Sequence, residues 1–236
     1  MKRTIKFLIL GLIIPSLLVG CITTEERELK GYKFNKEWAK TEPFSSDLLT
    51  GSITVDMYIM LHSYPTKWTT IVSKLESDAK NEFHLRLRGK DRAQWYFGDG
   101  NKAIVLDWIP EEVIPLNEWV RITAIRDREN KNMELLVNGQ SAAKKTFRTL
   151  PRSAKTENAI ILMAHGNNLL DATVADIRIW GKALSLAEIN KTAIGVKKAS
   201  KEKSLVAYWN FEVVENDVVR DLSGKNNDLS ISKIKK

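Results

Sequence analysis

The sequence predicts an all-β protein, a two-sheet antiparallel jelly-roll sandwich with one short helix near residues 185–194. Three observations carry that prediction. Apolar residues in the body recur with a period of two, as they do along strands that bury one face. The segments showing this period are short, rich in β-branched and aromatic residues, and separated by Gly, Asn and Asp. With only 12 Gly and 6 Pro in 236 residues there is no long linker to divide the chain. All-β sandwiches commonly reach roughly 200–250 residues as a single domain.

The first element is a leader. Lys2, Arg3 and Lys6 precede a run from Phe7 to Val19 that is almost wholly apolar. Positive charge followed by a short apolar core has the form of a secretory signal. The run falls short of the ~20 residues that a spanning helix needs, and Thr23 to Lys30 is strongly polar. Leu18-Val19-Gly20-Cys21 resembles the bacterial lipobox. That resemblance implies diacylglycerol on Cys21, cleavage before it, and an extracytoplasmic protein held to a bacterial membrane by lipid. An ordinary signal peptide with a stray cysteine, or a short anchor, is the plainer alternative. The expected organisation is residues 1–20 as signal, 21–29 as lipidated tether and 30–236 as the sandwich.

Removing the leader changes the charge. The whole chain carries +8; losing three basic residues leaves 34 Lys/Arg against 29 Asp/Glu, or +5. Seven more lysines sit with Glu202 in "VKKASKEK" (196–203) or at Lys233, Lys235 and Lys236, and without these segments the body is at −1. The basic excess thus belongs to a leader, a solvated loop and a tail, which argues against nucleic acid as partner. Cys21 is the sole cysteine, so once it is lipidated no disulfide is available and the core alone holds the fold.

The strands follow in order. "GYKFNKEWAKTEPF" opens the domain with a strand interrupted by a polar insert. In "SITVDMYIML", Ile53, Val55, Met57, Ile59 and Leu61 alternate with Thr54, Asp56 and Tyr58. In "FHLRLR", Phe83, Leu85 and Leu87 point one way and His84, Arg86 and Arg88 the other. The return strand sets Arg92, Gln94 and Tyr96 opposite Trp95 and Phe97. "WVRITAI" (119–125), "MELLVNG" (133–139), "TVADIRIW" (173–180) and "LVAYWNFE" (205–212) read similarly with more mixed faces. Asn138-Gly139 is a two-residue hairpin signal, since both positions tolerate positive φ. The helix is announced by Ser185 with Glu188 three residues on, a capping box, and Gly195 suits its stop.

Four pieces in order carry a family resemblance: "LNEWVRITAIRD", "MELLVNGQ", "VADIRIWGKALSLAEI" and "LVAYWNFEVVENDVVRDLSGKNNDL". Together they resemble laminin-G-like and pentraxin-like jelly rolls of the concanavalin A-like lectin/glucanase superfamily, over about residues 30–236. The resemblance implies a sandwich that binds glycans or proteins, often with calcium, and it admits glucanases.

Function is read at single residues. Laminarinase-type members carry Glu-x-Asp-x-Glu, which sets its carboxylates on one strand face, and a retaining pair lies about 5–5.5 Å apart. Here Glu212 and Glu215 in "EVVEND" fall on opposite faces, so the sequence predicts no enzyme; an unusual glycosidase is the residual alternative. His62, His84 and His165 show no metal-ligand spacing, and Ser77-Asp78-Ala79-Lys80 has no catalytic partner motif. Calcium, which takes oxygen ligands, has its best candidates in Asp221, Asn226 and Asp228, with Asn227 beside them. "GNNLLD" (166–171) and "GDGN" (98–101) are weaker; all three stretches also suit ordinary turns. Trp119, Trp180 and Trp209 are expected in the core. Trp38, Trp68 and Trp108, at strand ends or loops, either cap the sandwich or offer a ring to a sugar, and Trp108 is taken with Tyr96 as a ligand candidate. Arg86 and Arg88 complete that set, because guanidinium forks bind carboxylate or sulfate bidentately; a solvated sheet face is the bland reading. The partner expected is a polysaccharide, or an envelope protein if the domain is structural.

Overall fold

The structure, a computed structural model, describes residues 29–109, 113–193 and 195–233. The leader, Cys21 and Ile194 lie outside them. In chain order the strands are β1 (Tyr32–Phe34), β2 (Glu37–Lys40), β3 (Ile53–Leu61), β4 (Thr69–Leu75), β5 (Asn81–Arg88) and β6 (Arg92–Gly98). Next come β7 (Ala103–Trp108), β8 (Val120–Asp127), β9 (Asn132–Val137), β10 (Gln140–Thr146), β11 (Ile161–Leu162) and β12 (Ala164–His165). The last are β13 (Asn168–Leu169), β14 (Ala172–Trp180), β15 (Leu205–Asn210), β16 (Val218–Val219) and β17 (Leu229–Lys233), with helix α1 (Leu186–Lys191) between β14 and β15.

Among the described residues these strands form two large antiparallel sheets and a small hairpin, the predicted two-layer sandwich. The seven-stranded sheet runs β1-β14-β3-β8-β9-β10, with β15 also paired to β14. The eight-stranded sheet runs β16-β17-β2-β11-β4-β5-β6-β7, and β12-β13 is the hairpin. The polar insert near the start is the chain's crossing between layers. β1 pairs with β14 in one sheet, β2 pairs with β17 and β11 in the other, and Lys36 turns the corner at φ 57°. Asn138 and Gly139, at φ 50° and 79°, make the two-residue turn from β9 to β10.

The alternating residues fill the space between the sheets. β3 contributes Ile53, Val55, Met57, Ile59 and Leu61; the facing layer contributes Phe83, Leu85, Leu87, Trp95 and Phe97. The opposite face of β3 departs from expectation, because Thr54 and Asp56 are buried as well. Their cover is a second apolar cluster of Trp180, Leu184, Ile189, Ala199, Leu205 and Tyr208, built around α1. Beneath it the Arg121 Nε and Nη2 donate to the two oxygens of Asp56 at 2.9 and 2.7 Å, and Arg178 Nη2 donates to Asp176 at 2.6 Å. Both arginines also reach carbonyls at the end of α1, those of Ile189 and Thr192. A buried carboxylate is stable only when paired, and here the pairing also fastens the helix to the sheet.

The capping box is present. Ser185 Oγ accepts from the Glu188 N–H, and Glu188 Oε2 accepts from the Ser185 N–H at 2.8 Å. The helix is shorter than 185–194, ending at Lys191, with Gly195 at φ 114° beyond it. The stretch 196–203 is exposed at its four lysines and Ser200, but Ala199 begins a short 3₁₀ turn and is buried. Trp209 is a core residue, and Trp180 belongs to the cluster under the helix. Trp119, expected within a strand, precedes β8 and is half-buried. Trp38, expected at an end or in a loop, lies inside β2.

Candidate functional site

The polar face of β5 and β6 forms in the register that alternation predicts. His84 pairs across from Tyr96, Arg86 from Gln94 and Arg88 from Arg92; on the next strand Asp107 stands opposite Gln94. Because Phe83, Leu85 and Leu87 face the core, this row lies on the outer surface of the eight-stranded sheet.

Half of that row is covered, which alternation alone does not reveal. His84 is fully buried and Tyr96 is 1% exposed. The β12-β13 hairpin lays His165 over His84, with ring centroids 5.8 Å apart, and the 77–80 turn brings Asp78 to Tyr96. The Tyr96 hydroxyl donates to Asp78 Oδ1 at 2.7 Å, so His84 Nδ1 donates to the phenol oxygen at 2.6 Å and Nε2 accepts from Thr70 Oγ1 at 2.8 Å. Burial, then Arg86 and His165, hold the His84 pKa well below 6.5, so it is neutral. Burial and the bond to Asp78 push the Tyr96 pKa up. Tyr96, taken from the sequence as an outward ligand group, instead offers only its ring.

That ring serves Arg86. The guanidinium carbon lies 4.7 Å from the Tyr96 centroid and 4.7 Å from that of Trp68, which immediately precedes β4. Arg86 Nε donates to Gln94 Oε1 at 2.8 Å, and Gln94 Nε2 donates to Asp107 Oδ1 at 2.6 Å. Arg88 and Arg92 are exposed. Among the described residues none of these three arginines pairs with a carboxylate. Trp108 is not part of this surface: it is 7% exposed and packs in the core with Ile104 and Leu106. The period of two in Ile104, Leu106 and Trp108 was the signal that could have placed it. Trp68 is the aromatic residue that the surface uses.

The calcium candidates have other partners. Asp221 Oδ1 accepts from the N–H groups of Tyr208 and Ser223, and Oδ2 from Ser223 Oγ and the Asn227 N–H, all at 2.8–3.0 Å. Asp228 accepts from Asp221 N–H and from Arg220, and Asn226 turns the chain at φ 61°. A carboxylate that receives four donors has its lone pairs occupied, so these residues do not fit a cation site as they stand. Asp99 is an Asx turn, accepting from the N–H groups of Asn101 and Lys102. Asn168 lies in β13, and Asp171 accepts a long bond from Ser63 at 3.5 Å. Among the described residues no group of three or more His, Cys, Asp or Glu side chains is placed to hold a metal. Glu212 follows β15 and Glu215 bridges to Val218 around Asn216 and Asp217, both at positive φ, so "EVVEND" is a turn.

A sequence profile of the concanavalin A-like lectin/glucanases superfamily matches residues 35–190. The structure resembles a Bacteroides ovatus protein provisionally assigned to carbohydrate binding, with a TM-score of 0.66 and 15% identity, over 88% of this chain and 60% of that one. It also resembles the binding domain of Paraclostridial mosquitocidal protein 1, with a TM-score of 0.50 and 17% identity, over 63% of this chain and 37% of that one. This chain therefore spans less than two thirds of either structure. At such identities the likeness is one of fold. Among curated proteins none matches the sequence significantly.

Proposed function

The chain belongs to the concanavalin A-like lectin/glucanase superfamily, and on that premise we propose that it is a lipid-anchored envelope protein whose sandwich binds glycans and cleaves nothing. The observation that carries the reading is the surface around Arg86, where a half-exposed tryptophan, an amide and three arginines without carboxylate partners among the described residues share one sheet face. Sugar sites combine an apolar ring with a few fixed polar groups, and this face supplies both. The fold's association with carbohydrate binding in the Bacteroides ovatus structure supports it. Against catalysis stand the interior carboxylates: Asp56 and Asp176 share Arg178, Asp56 also pairs with Arg121, and Glu82 is tied to Lys74. The anchor rests on the sequence around Cys21.

A glycan array probed with the full-length chain in detergent tests the first half. Binding that Trp68→Ala weakens is the expected result. Silence on every glycan, with the protein instead retaining an envelope protein, would favour a structural or protein-interaction role. Metabolic labelling with a palmitate analogue tests the second half. Label is expected on the natural chain and lost in Cys21→Ser; label persisting in that variant overturns the anchor.

A further inference from the structure

We infer that the outward edge of the Arg86 guanidinium is a preset receptor for the carboxylate of a uronic-acid glycan, with Gln94 and Asp107 as its positioning residues. This deepens the glycan-binding reading and rests on it. A guanidinium offers five donors in a planar fork. Arg86 uses the Nε donor internally, on Gln94 Oε1 at 2.8 Å, and among the described residues its two terminal nitrogens have no partner. Gln94 can hold that orientation because its own amide nitrogen is anchored on Asp107 Oδ1 at 2.6 Å. Two aromatic rings also pack against the guanidinium. Trp68 comes from just before β4, Tyr96 from the row of His84, and each ring centroid is 4.7 Å from the guanidinium carbon. Tyr96 is itself rigid, held by His84 and Asp78. An arginine already immobilised loses little further rotamer freedom on binding.

The planar fork also favours one oxyanion shape. A carboxylate is planar and can lie in the guanidinium plane through two parallel N–H···O bonds. A sulfate ester is tetrahedral, so once two of its oxygens bond the same edge the third and the ester oxygen leave the guanidinium plane. Arg88 and Arg92 stand directly opposite one another, a like-charge pair whose repulsion a bound anion would relieve.

Affinity electrophoresis of the full-length chain in detergent gels containing alginate, pectate, a sulfated galactan or a neutral glucan tests this, with melting curves of every variant alongside. Retardation by alginate or pectate well above that by the sulfated polymer is expected. Arg86→Ala should lose on the order of tenfold or more in affinity, as removal of a charge-assisted pair of hydrogen bonds does, and Arg86→Lys should recover only part. The Asp107 pair separates positioning from charge. Asp107→Asn keeps an oxygen for Gln94 and should bind at least as well as the natural chain, whereas Asp107→Ala, which removes the same charge, should weaken binding about threefold or more along with Gln94→Ala. Equal gains from both Asp107 variants would reduce Asp107 to a charge and overturn its positioning role. Equal retardation by sulfated and carboxylated polymers overturns the carboxylate preference. Retardation by the neutral glucan alone overturns the inference but leaves glycan binding standing; no retardation by any polymer overturns both. If Arg86→Ala melts early, the Asp107 pair and Arg86→Lys decide the matter.

Discussion

His84 shows how one residue changes meaning between sequence and structure. Alternation puts it on the outer face with Arg86 and Arg88, and there it is, yet it is sealed from water by His165 and Tyr96. The folded chain therefore refuses a proton that the unfolded chain accepts below about pH 6.5, since burial, Arg86 and His165 all depress this pKa. Stability is full above that pH and declines as the pH falls. Melting temperature should drop between pH 7 and pH 5, and His84→Gln, less stable throughout, should lose that part of the slope; parallel pH profiles for the two chains would contradict this. Trp108 moved the other way, from surface candidate to core. Trp108→Ala should cost about 3–5 kcal/mol in denaturant unfolding, as truncating a buried aromatic does, and should leave the Arg86 surface in place.

Elements were legible where their chemistry is local. The capping box at Ser185 and Glu188 is one case, and it holds Glu188 down to about pKa 2 through the Ser185 N–H, Lys182 and the Ser185 hydroxyl. A depressed carboxylate stabilises above its ordinary pKa and loses that contribution as the pH falls, here from about 4.5 toward 2. Ser185→Ala should lower stability by about 1 kcal/mol at neutral pH, read from chemical denaturation. The Asp-x-Ser-Gly turn is another. With four donors on its carboxylate, Asp221 is expected to hold the turn alone: Asp221→Ala should destabilise by about 2 kcal/mol or more, and millimolar calcium should leave the melting temperature unchanged. A calcium-dependent rise, about 2.7 kcal/mol at a hundredfold excess over Kd, would show that the loop rearranges to take the ion. Strands with little alternation escaped the sequence. β10, "QSAAKKT", is an exposed sheet edge with no apolar face to announce it, and β11 to β13 are two residues each.

At the scale of the whole molecule, Arg126 joins the layers. It lies on the core-facing side of β8, in line with Val120, Ile122 and Ala124, and is completely buried. Its guanidinium donates to the carbonyls of Leu49, Gly51 and Glu82 at 2.6–2.8 Å and lies 4.4 Å from the Phe97 ring of the facing sheet. Burial lowers its pKa to about 9, which still leaves it charged at neutral pH. Arg126→Met keeps the bulk but strips three enclosed carbonyls of their donor, so a loss of about 3 kcal/mol or more is expected in equilibrium unfolding, with no change in the salt dependence of glycan binding. A near-neutral effect would mean that the sheets need no polar tie.

The sequence by itself determined the class of fold, the inward face of each alternating strand, the Asn138-Gly139 turn and the helix cap, because each rests on contacts a few residues apart. Only the tertiary structure decided which outward faces meet solvent. His165 covers His84 from some eighty residues away, and α1 covers Asp56 from more than a hundred. Alternation tells a strand which way its side chains point, and it carries no information about what the rest of the chain lays on top. That is why Arg86 still reaches the surface while Tyr96 is buried beside it, and why Trp68 rather than Trp108 lies against that arginine.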